Sequence, residues 1–593
     1  MKKFLCTVLL FAMIHTISIF AQAPVDLFDP FYEDLSIWEG CGLINDAPSI
    51  RPYPLQEIER LLQIVIEKGD ADQRRKAAEY QARFFQRIFH FGGKVELNVA
   101  SRGSQKQLVI SPLAKLNYSI TKLLTISAYI SVNGLNKLDN ENLLPAYSYP
   151  QKDIANDDVN IGKLKILPAF NTSATFGTSE YYFTAGMGRT SYGPFHDSGI
   201  FISRDAFHAG QFIFTVNKKK WAYNQVLLLL SATNDYKETE SIGPNKFLSS
   251  HSLDIRPLPW LSFSIIDSMI YGGRFEPMYL IPFSAFFLGQ SVYDFPDNSL
   301  IGVSATVKPI KGLRFDAAFY ADDLGFNEIV RFKDAKCRMS GETGLSYTMP
   351  YSHWFSFVDL NYTFVFPYTY THHDHHDPAA RNYQNYTHRG RNLGSNLEPN
   401  SDRIQLRLKF RPLYGLDINL SNTFIRHANV TESIDDIVIL KDYLSKKYTT
   451  DGSSFNYAAV TEPEGKYQSQ SKKRAFLYSN PFMRQQTIQY VNQLALDVSC
   501  HLPILKSGGS MLFKIGYVFE ANINPGVGNT MYSPNDRTKG WYEKDIKDIV
   551  DGDGNVGEAA IRKEAARQQD EWRAQARGKQ FNHYIRLSAE FAY

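Results

Sequence analysis

Four features of this 593-residue chain combine residue types and spacings that suggest chemistry. The most conspicuous is the run His372 to Asp377, in which His372, His373, His375 and His376 alternate with carboxylates. Imidazole and carboxylate suit divalent transition metals, but a polar loop tip that binds metal adventitiously has the same composition and is the plainer expectation. Asp551 to Asn555 places oxygens at positions 1, 3 and 5 of a calcium-loop pattern. Val556 stands where that pattern needs glycine and Arg562 where it needs a bidentate glutamate, so a turn ahead of a helix from Glu558 to Arg577 is expected instead. Arg403, Arg407, Lys409 and Arg411 form a basic row along one segment, suited either to anionic solutes or polysaccharide or to pairing with acidic neighbours. Tyr192, Trp541, Tyr542 and Trp572 offer faces for sugar rings. No Gly-x-Ser-x-Gly elbow, His-Glu-x-x-His, phosphate-binding Gly-Lys-Ser/Thr loop or correctly placed dinucleotide fingerprint is present, so neither catalysis nor a cofactor is expected.

These residues need elements to hold them. From Pro52 to about Phe91 the apolar positions Leu55, Ile58, Leu61, Leu62, Val65 and Ile66 recur at helical spacing, and Ala71 to Phe89 reads as a second helical stretch. Gly69-Asp70 separates the two and Gly92-Gly93 ends the second. Beyond Gly92 the period becomes two. Ile404, Leu406, Leu408 and Phe410 alternate with the basic row, and Ile585, Leu587, Ala589, Phe591 and Tyr593 alternate with Arg586, Ser588 and Glu590 to the final residue.

Such alternation suits a half-solvated soluble sheet or a membrane barrel with an apolar outside and a wet lumen. Eighteen strands can be placed, near 92–100, 107–118, 123–133, 166–177, 180–187, 209–217, 222–232, 248–256, 260–271, 299–308, 312–321, 340–349, 355–366, 402–411, 416–427, 486–502, 510–523 and 581–593. Short turns, such as Lys218 to Lys220 and Pro309 to Gly312, alternate with long stretches near 134–165, 272–298, 367–401, 428–485 and 524–580. That division, together with an aromatic C-terminal residue, predicts a transmembrane antiparallel β-barrel with periplasmic turns and extracellular loops. A C-terminal strand of this kind is the expected contact for barrel-insertion machinery.

Lys2 and Lys3, the apolar run Phe4 to Phe20 and Ala21-Gln22-Ala23 have the three regions of a secretory signal peptide. The expected organisation is a signal over 1–23, a periplasmic helical unit over 24–91 and a barrel over 92–593 in the outer-membrane lipid, with cleavage after Ala21 or Ala23. Only this terminus approaches the length of apolar sequence that a spanning helix needs. Removing Lys2 and Lys3 leaves 62 basic and 61 acidic residues, which takes away the simple electrostatic case for a nucleic-acid partner. Cys41, Cys337 and Cys500 are an odd and scattered set, unsuited to a disulfide framework. The 41 Phe and 35 Tyr are accounted for by outward strand faces and interfacial girdles.

Two passages resemble the capsule assembly Wzi family of outer-membrane proteins. In Asp29 to Leu62, Gly42-Leu43-Ile44, Arg51-Pro52, Glu57-Ile58 and Leu61-Leu62 match its N-terminal pattern. Gly188 to Phe207, "GRTSYGPFHDSGIFISRDAF", is similar to its Gly-Arg, Trp-Gly-Pro-Gly and Leu-Ser-x-Asn-Ala signature, with Tyr192 for the Trp, Phe195 for the second Gly and Asp205 for the Asn. The resemblance implies an eighteen-stranded barrel with a periplasmic helical unit, a role in binding or organising extracellular polysaccharide, and Arg189, Tyr192, Arg204 and Asp205 as first candidates for contact. The alternative is a general or anion-preferring diffusion porin for small solutes. An adhesin would suit the long loops equally well, although no residue pattern marks one.

Overall fold

Alternation at period two asks for a sheet whose faces meet different media, and in the computed structural model that sheet closes on itself. The structure describes residues 24–85, 87–137, 141–149, 159–196, 198–234, 237–241, 245–322, 338–349, 354–367, 369–370, 381–389, 391–428, 482–483, 485–503, 509–528, 570 and 573–593. The signal segment, His372 to His376, Asp551 to Asn555, Trp541, Tyr542, Trp572 and Cys337 lie outside the described residues.

Eighteen antiparallel strands form the wall. They are β1 (Phe89–Ala100), β2 (Gln105–Ser119), β3 (Leu124–Leu135), β4 (Leu164–Gly177), β5 (Tyr181–Gly188), β6 (Ala209–Lys218), β7 (Trp221–Leu230), β8 (Lys246–Leu258) and β9 (Leu261–Gly272). Then follow β10 (Asn298–Ile310), β11 (Leu313–Asp322), β12 (Met339–Thr348), β13 (Phe355–Val365), β14 (Ser401–Leu413), β15 (Leu416–His427), β16 (Gln489–Pro503), β17 (Ser510–Ile523) and β18 (Lys579–Ala592). Each pairs with the next, and β18 returns to β1 with Gly92–Ala100 opposite Ala592–Tyr584. The strand number is the one the alternation predicts, and no boundary moves by more than three residues. The barrel begins at Phe89 rather than Gly92, because Phe89 and Phe91 already alternate outward, 52% and 56% exposed. Outward positions such as Val95, Ile515 and Leu587 are apolar and exposed around the wall, as hydrocarbon requires.

At the end with the short turns sits the helical unit, α1 (Pro30–Gly40), α2 (Leu55–Lys68) and α3 (Ala71–Phe85). The spacing of the sequence did not mark α1, since Phe31, Tyr32, Leu35, Ile37 and Trp38 are buried on several sides and leave no single stripe. Its start is conventional: Pro30 opens the helix and the Asp29 carboxylate accepts the Phe31 N–H at 2.9 Å. α3 is opened by reciprocal bonds between Asp70 and Gln73. The unit is tied around the rim: Gly40 O accepts from Gly312 N, Asp46 O from Asn217, Ala47 O from Arg256, and Lys122 O from Gln56.

The lumen is filled above this unit. The described residues of 189–208, between β5 and β6, and of 366–400, between β13 and β14, fold inward and build an apolar core with the wall. Tyr192, Phe195, Ile200, Phe201, Tyr370, Tyr386 and Leu393 belong to it, against Val226, Leu248, Ile266 and Tyr320 of the strands. Small wall residues make the space: a Cβ on Gly302 would overlap the Phe201 ring, and one on Gly344 would come within 2.8 Å of Phe195. Replacing Gly302 by valine should therefore displace the inward loop rather than the strand. We expect a loss of about 1–3 kcal/mol from overpacking, read as a lower urea midpoint for the heat-modifiable folded band in gels, with the barrel still inserting.

Candidate ligand site in the lumen

The inward loop is held by backbone pairing with the helical unit. Ile50 and Arg51 lie opposite Tyr192 and Ser191 as a two-residue antiparallel bridge, Tyr192 N donates to Ile202 O, and Arg51 donates to Gly193 O at 3.0 Å. Gly193 takes a φ of +117°, which a side-chain-bearing residue would resist. Tyr192 is therefore not a sugar platform. It is 2% exposed, its ring meets Phe201 edge-on and its hydroxyl reaches Asp254 at 3.5 Å. The expectation for this residue is corrected by the bridge, which turns its ring into the core.

Beside the bridge an ion-pair knot joins three parts of the chain. Glu39 of α1 accepts from Arg314 of β11 at 2.9 Å and meets His196 of the inward loop at 3.1 Å, while Arg314 also donates to Pro194 O. Burial alone would raise the Glu39 carboxyl, but Arg314, His196 and Arg51 outweigh it and hold it well below the usual carboxylate range.

The remaining three candidates sit together. The Arg189 and Arg204 guanidiniums lie 5.3 and 5.1 Å from the Phe28 ring, and Arg189 donates to Arg204 O at 3.0 Å. A residue that sequence reasoning missed, Arg391 of the second inward loop, donates to Asp205 O and stacks on Phe207 at 3.7 Å and Tyr149 at 4.3 Å. Burial lowers the affinity of all three guanidiniums for their protons, Arg391 to about 10, with Asp205 opposing in each case. Among the described residues neither Arg204 nor Arg391 has a carboxylate within ion-pair distance, and the buried Arg204 Nε has no hydrogen-bond partner. Arg391 left no periodic signal, because it stands in an irregular loop.

The basic row divides. Arg407 pairs with Asp359, Lys409 with Glu33 at 2.8 Å, and Arg411 with Asp417 at 2.6 Å and Asp34 at 3.5 Å. These cations lock α1 and the acidic wall, which is the pairing alternative. Arg403 instead donates to the neutral Asn396 and Thr363.

Two cavities border the cluster. One of about 700 Å³ lies between the helical unit and β14–β18 and is lined by Phe28, Arg204, Lys409, Lys514 and Arg586 among others. The other, about 270 Å³, lies under residues 143–149 and is lined by Glu96, Asn98, Gln107, Tyr149 and Tyr584 with Leu143 and Val518. Asp497, Gly516 and Arg586 line both. Half-apolar, half-polar concavities of this size suit small polar rings. No group of three or more metal-ligating side chains occurs among the described residues.

A closed eighteen-stranded wall with an apolar exterior, a helical unit across one mouth and loops folded into the lumen defines a transmembrane β-barrel of the outer-membrane type. Among solved structures the chain shares this fold with Wzi of Escherichia coli, described as an outer membrane protein involved in group 1 capsule assembly and a carbohydrate-binding β-barrel. The TM-score is 0.50 at 11% identity over 97% of this chain and 99% of that one. OccD3 (OpdP) and OprD of Pseudomonas aeruginosa align at a TM-score of 0.39, with 12% and 9% identity, over 85% of this chain and 91% and 94% of theirs. No protein-family model and no curated protein sequence matches the chain.

Two outcomes are expected. Replacing Arg314 by methionine strands the Glu39 carboxylate in the buried knot, and should cost about 3–5 kcal/mol in a urea titration of the folded barrel, partly restored by Glu39→Gln in the same chain. His388 accepts from Ser231 N at Nδ1 and faces His208 O at 3.0 Å, so it is held as the neutral tautomer. Burial, aided by Arg389, Lys246 and Arg391, depresses it to about 4 despite the His208 carbonyl. The unfolded chain, with an ordinary histidine near 6.5, then binds more protons across about pH 6.5 to 4, so stability contributed by neutral His388 falls as pH drops through that window. His388→Asn should flatten that part of the pH–stability curve, and an unchanged slope would refute the assignment.

Proposed function

We propose that the protein is a non-catalytic outer-membrane binder of acidic extracellular polysaccharide. The observation that carries this reading is the desolvated Arg189–Arg204–Arg391 cluster, backed by Phe28, Phe207 and Tyr149, with Arg204 and Phe28 lining one lumenal cavity and Tyr149 another. Guanidiniums present paired donors to a carboxylate, and the aromatic faces keep them flat and in place. Asp205 stays in the proposed site through its backbone carbonyl, which Arg391 donates to, and through the through-space pull of its carboxylate on the three guanidiniums. Arg403 extends the cationic surface, while Lys409 and Arg411 dock the helical unit and Arg407 pairs within the wall. The likeness to a carbohydrate-binding barrel supports the same reading. In this proposal the chain reaches the outer membrane through a cleaved signal and is inserted by way of β18.

The second reading, an anion-preferring porin, draws on the lining residues that the two cavities share. The readings part in one pair of measurements. Refolded protein should bind an immobilised uronate-rich polysaccharide and give no large, steady, ohmic conductance in planar bilayers. Arg204→Ala and Arg391→Ala should each weaken that binding about tenfold or more, from roughly 1.5–3 kcal/mol per charge-assisted hydrogen bond. Strong steady conductance with unaltered binding in both variants would favour the porin.

A further inference from the structure

The connection from β9 to β10 leaves the extracellular end of the barrel and then turns back down its outer wall. Gln225 of β7, His251 of β8 and Asp267 of β9 stand in register with one another on the lipid-facing side, with Tyr223 two residues along β7 on the same face, where Trp221, Leu229 and Ile265 are exposed. Four polar side chains there would break the apolar belt, yet each is used by the loop. Phe283 N donates to the Tyr223 hydroxyl at 3.1 Å, and Gln225 donates to Tyr279 O at 3.3 Å. Asp267 accepts from Phe286 N at 3.1 Å and so caps the helix α4 (Phe286–Tyr293), while the His251 ring lies 4.3 Å from that of Phe286. Met269 and Tyr271, outward positions on the same strand, are fully covered by the loop.

Depth decides what the loop meets. Tyr223 stands seven residues below the extracellular end of β7, which at ~3.3 Å per residue and a tilt near 45° places the Phe283 contact about 16 Å down the wall. Pro277 to Tyr293 contains no charged residue; Leu288 and Val292 are 61% and 72% exposed, and Phe283, whose ring lies 4.3 Å from that of Tyr223, still leaves 70% of itself exposed.

We infer that residues 277–293 form a re-entrant flap whose outer face is solvated by the acyl chains of the membrane. Its apolar face continues the belt of the barrel, and the backbone at that depth is satisfied by α4, by a short 3₁₀ turn at Pro277–Leu280 and by the wall's side chains, as hydrocarbon demands. Lifting the flap into water would expose its apolar face and leave Gln225, His251 and Asp267 facing lipid. A second copy of the chain is the competing occupant.

The test places a bimane label on Val292→Cys, with Cys337 and Cys500 changed to serine, in full-length protein reconstituted in phosphatidylcholine vesicles. Loss of emission with doxyl groups on the acyl chains and none with aqueous iodide is expected. Quenching by iodide but not by doxyl lipid overturns the inference, and so does protection from both together with a disulfide-linked Val292→Cys dimer. Asp267→Ala, with heat-modifiability showing that the barrel has folded, should move the label toward iodide. Unchanged doxyl quenching in that variant would refute Asp267 as the anchor.

Discussion

Hydrocarbon tolerates no unpaired backbone, and closure of the wall is the constraint from which the rest of this structure follows. Once β18 hydrogen-bonds to β1, every strand has two neighbours and every residue is committed to one of two sides. The period-two alternation then sends apolar side chains out and polar ones in. Eighteen strands enclose a space that the wall's own side chains do not fill, and an apolar core inside it must be supplied by other segments. Two inward loops and the N-terminal unit supply it, and tyrosine hydroxyls satisfy the backbone that this buries: Tyr370 and Tyr386 donate to the carbonyls of Ile200 and Phe201.

The two passages that resemble the Wzi family are the two that meet inside the barrel. Ile50–Arg51 pairs with Ser191–Tyr192, and Glu39 joins His196 through the knot centred on Arg314. A segment that enters a sheet-like bridge while a desolvated carboxylate is matched by an arginine and a histidine ring has few tolerable substitutions. Tyr192, a possible sugar contact by its type, belongs to the structural half of the signature; Arg204 belongs to the half that borders open volume, with Arg189 bonded to its backbone carbonyl behind it.

The wall was legible because its signal is local: each strand carries its own alternation, and the turns are short enough to leave registers unambiguous. The lumen was not, because which loop folds inward depends on vacancies such as the one opposite Gly302, more than a hundred residues from the Phe201 that occupies it. Arg391 acquires its setting only when Tyr149, Asp205 and Phe207 arrive from two other loops. By length alone the stretch 272–298 reads as an outer loop. Its signal lay elsewhere, in a charge-free run from Pro277 to Tyr293 and in outward strand positions occupied by Gln225, His251 and Asp267, where the alternation calls for apolar residues.

The proposed binding role rests finally on charge placement. Near the helical unit, Lys409, Arg411 and Arg407 are each matched by a carboxylate, so that region gains little field and mainly stiffness. Midway up the lumen the balance changes. Arg204, Arg391 and Arg403 are desolvated and answered chiefly by backbone carbonyls, amides and aromatic faces. A desolvated guanidinium without a matched carboxylate is costly in a structural core. It becomes economical when an anion completes it, and a flexible acidic chain entering from the extracellular side can do so without the open lumen that a diffusing solute needs.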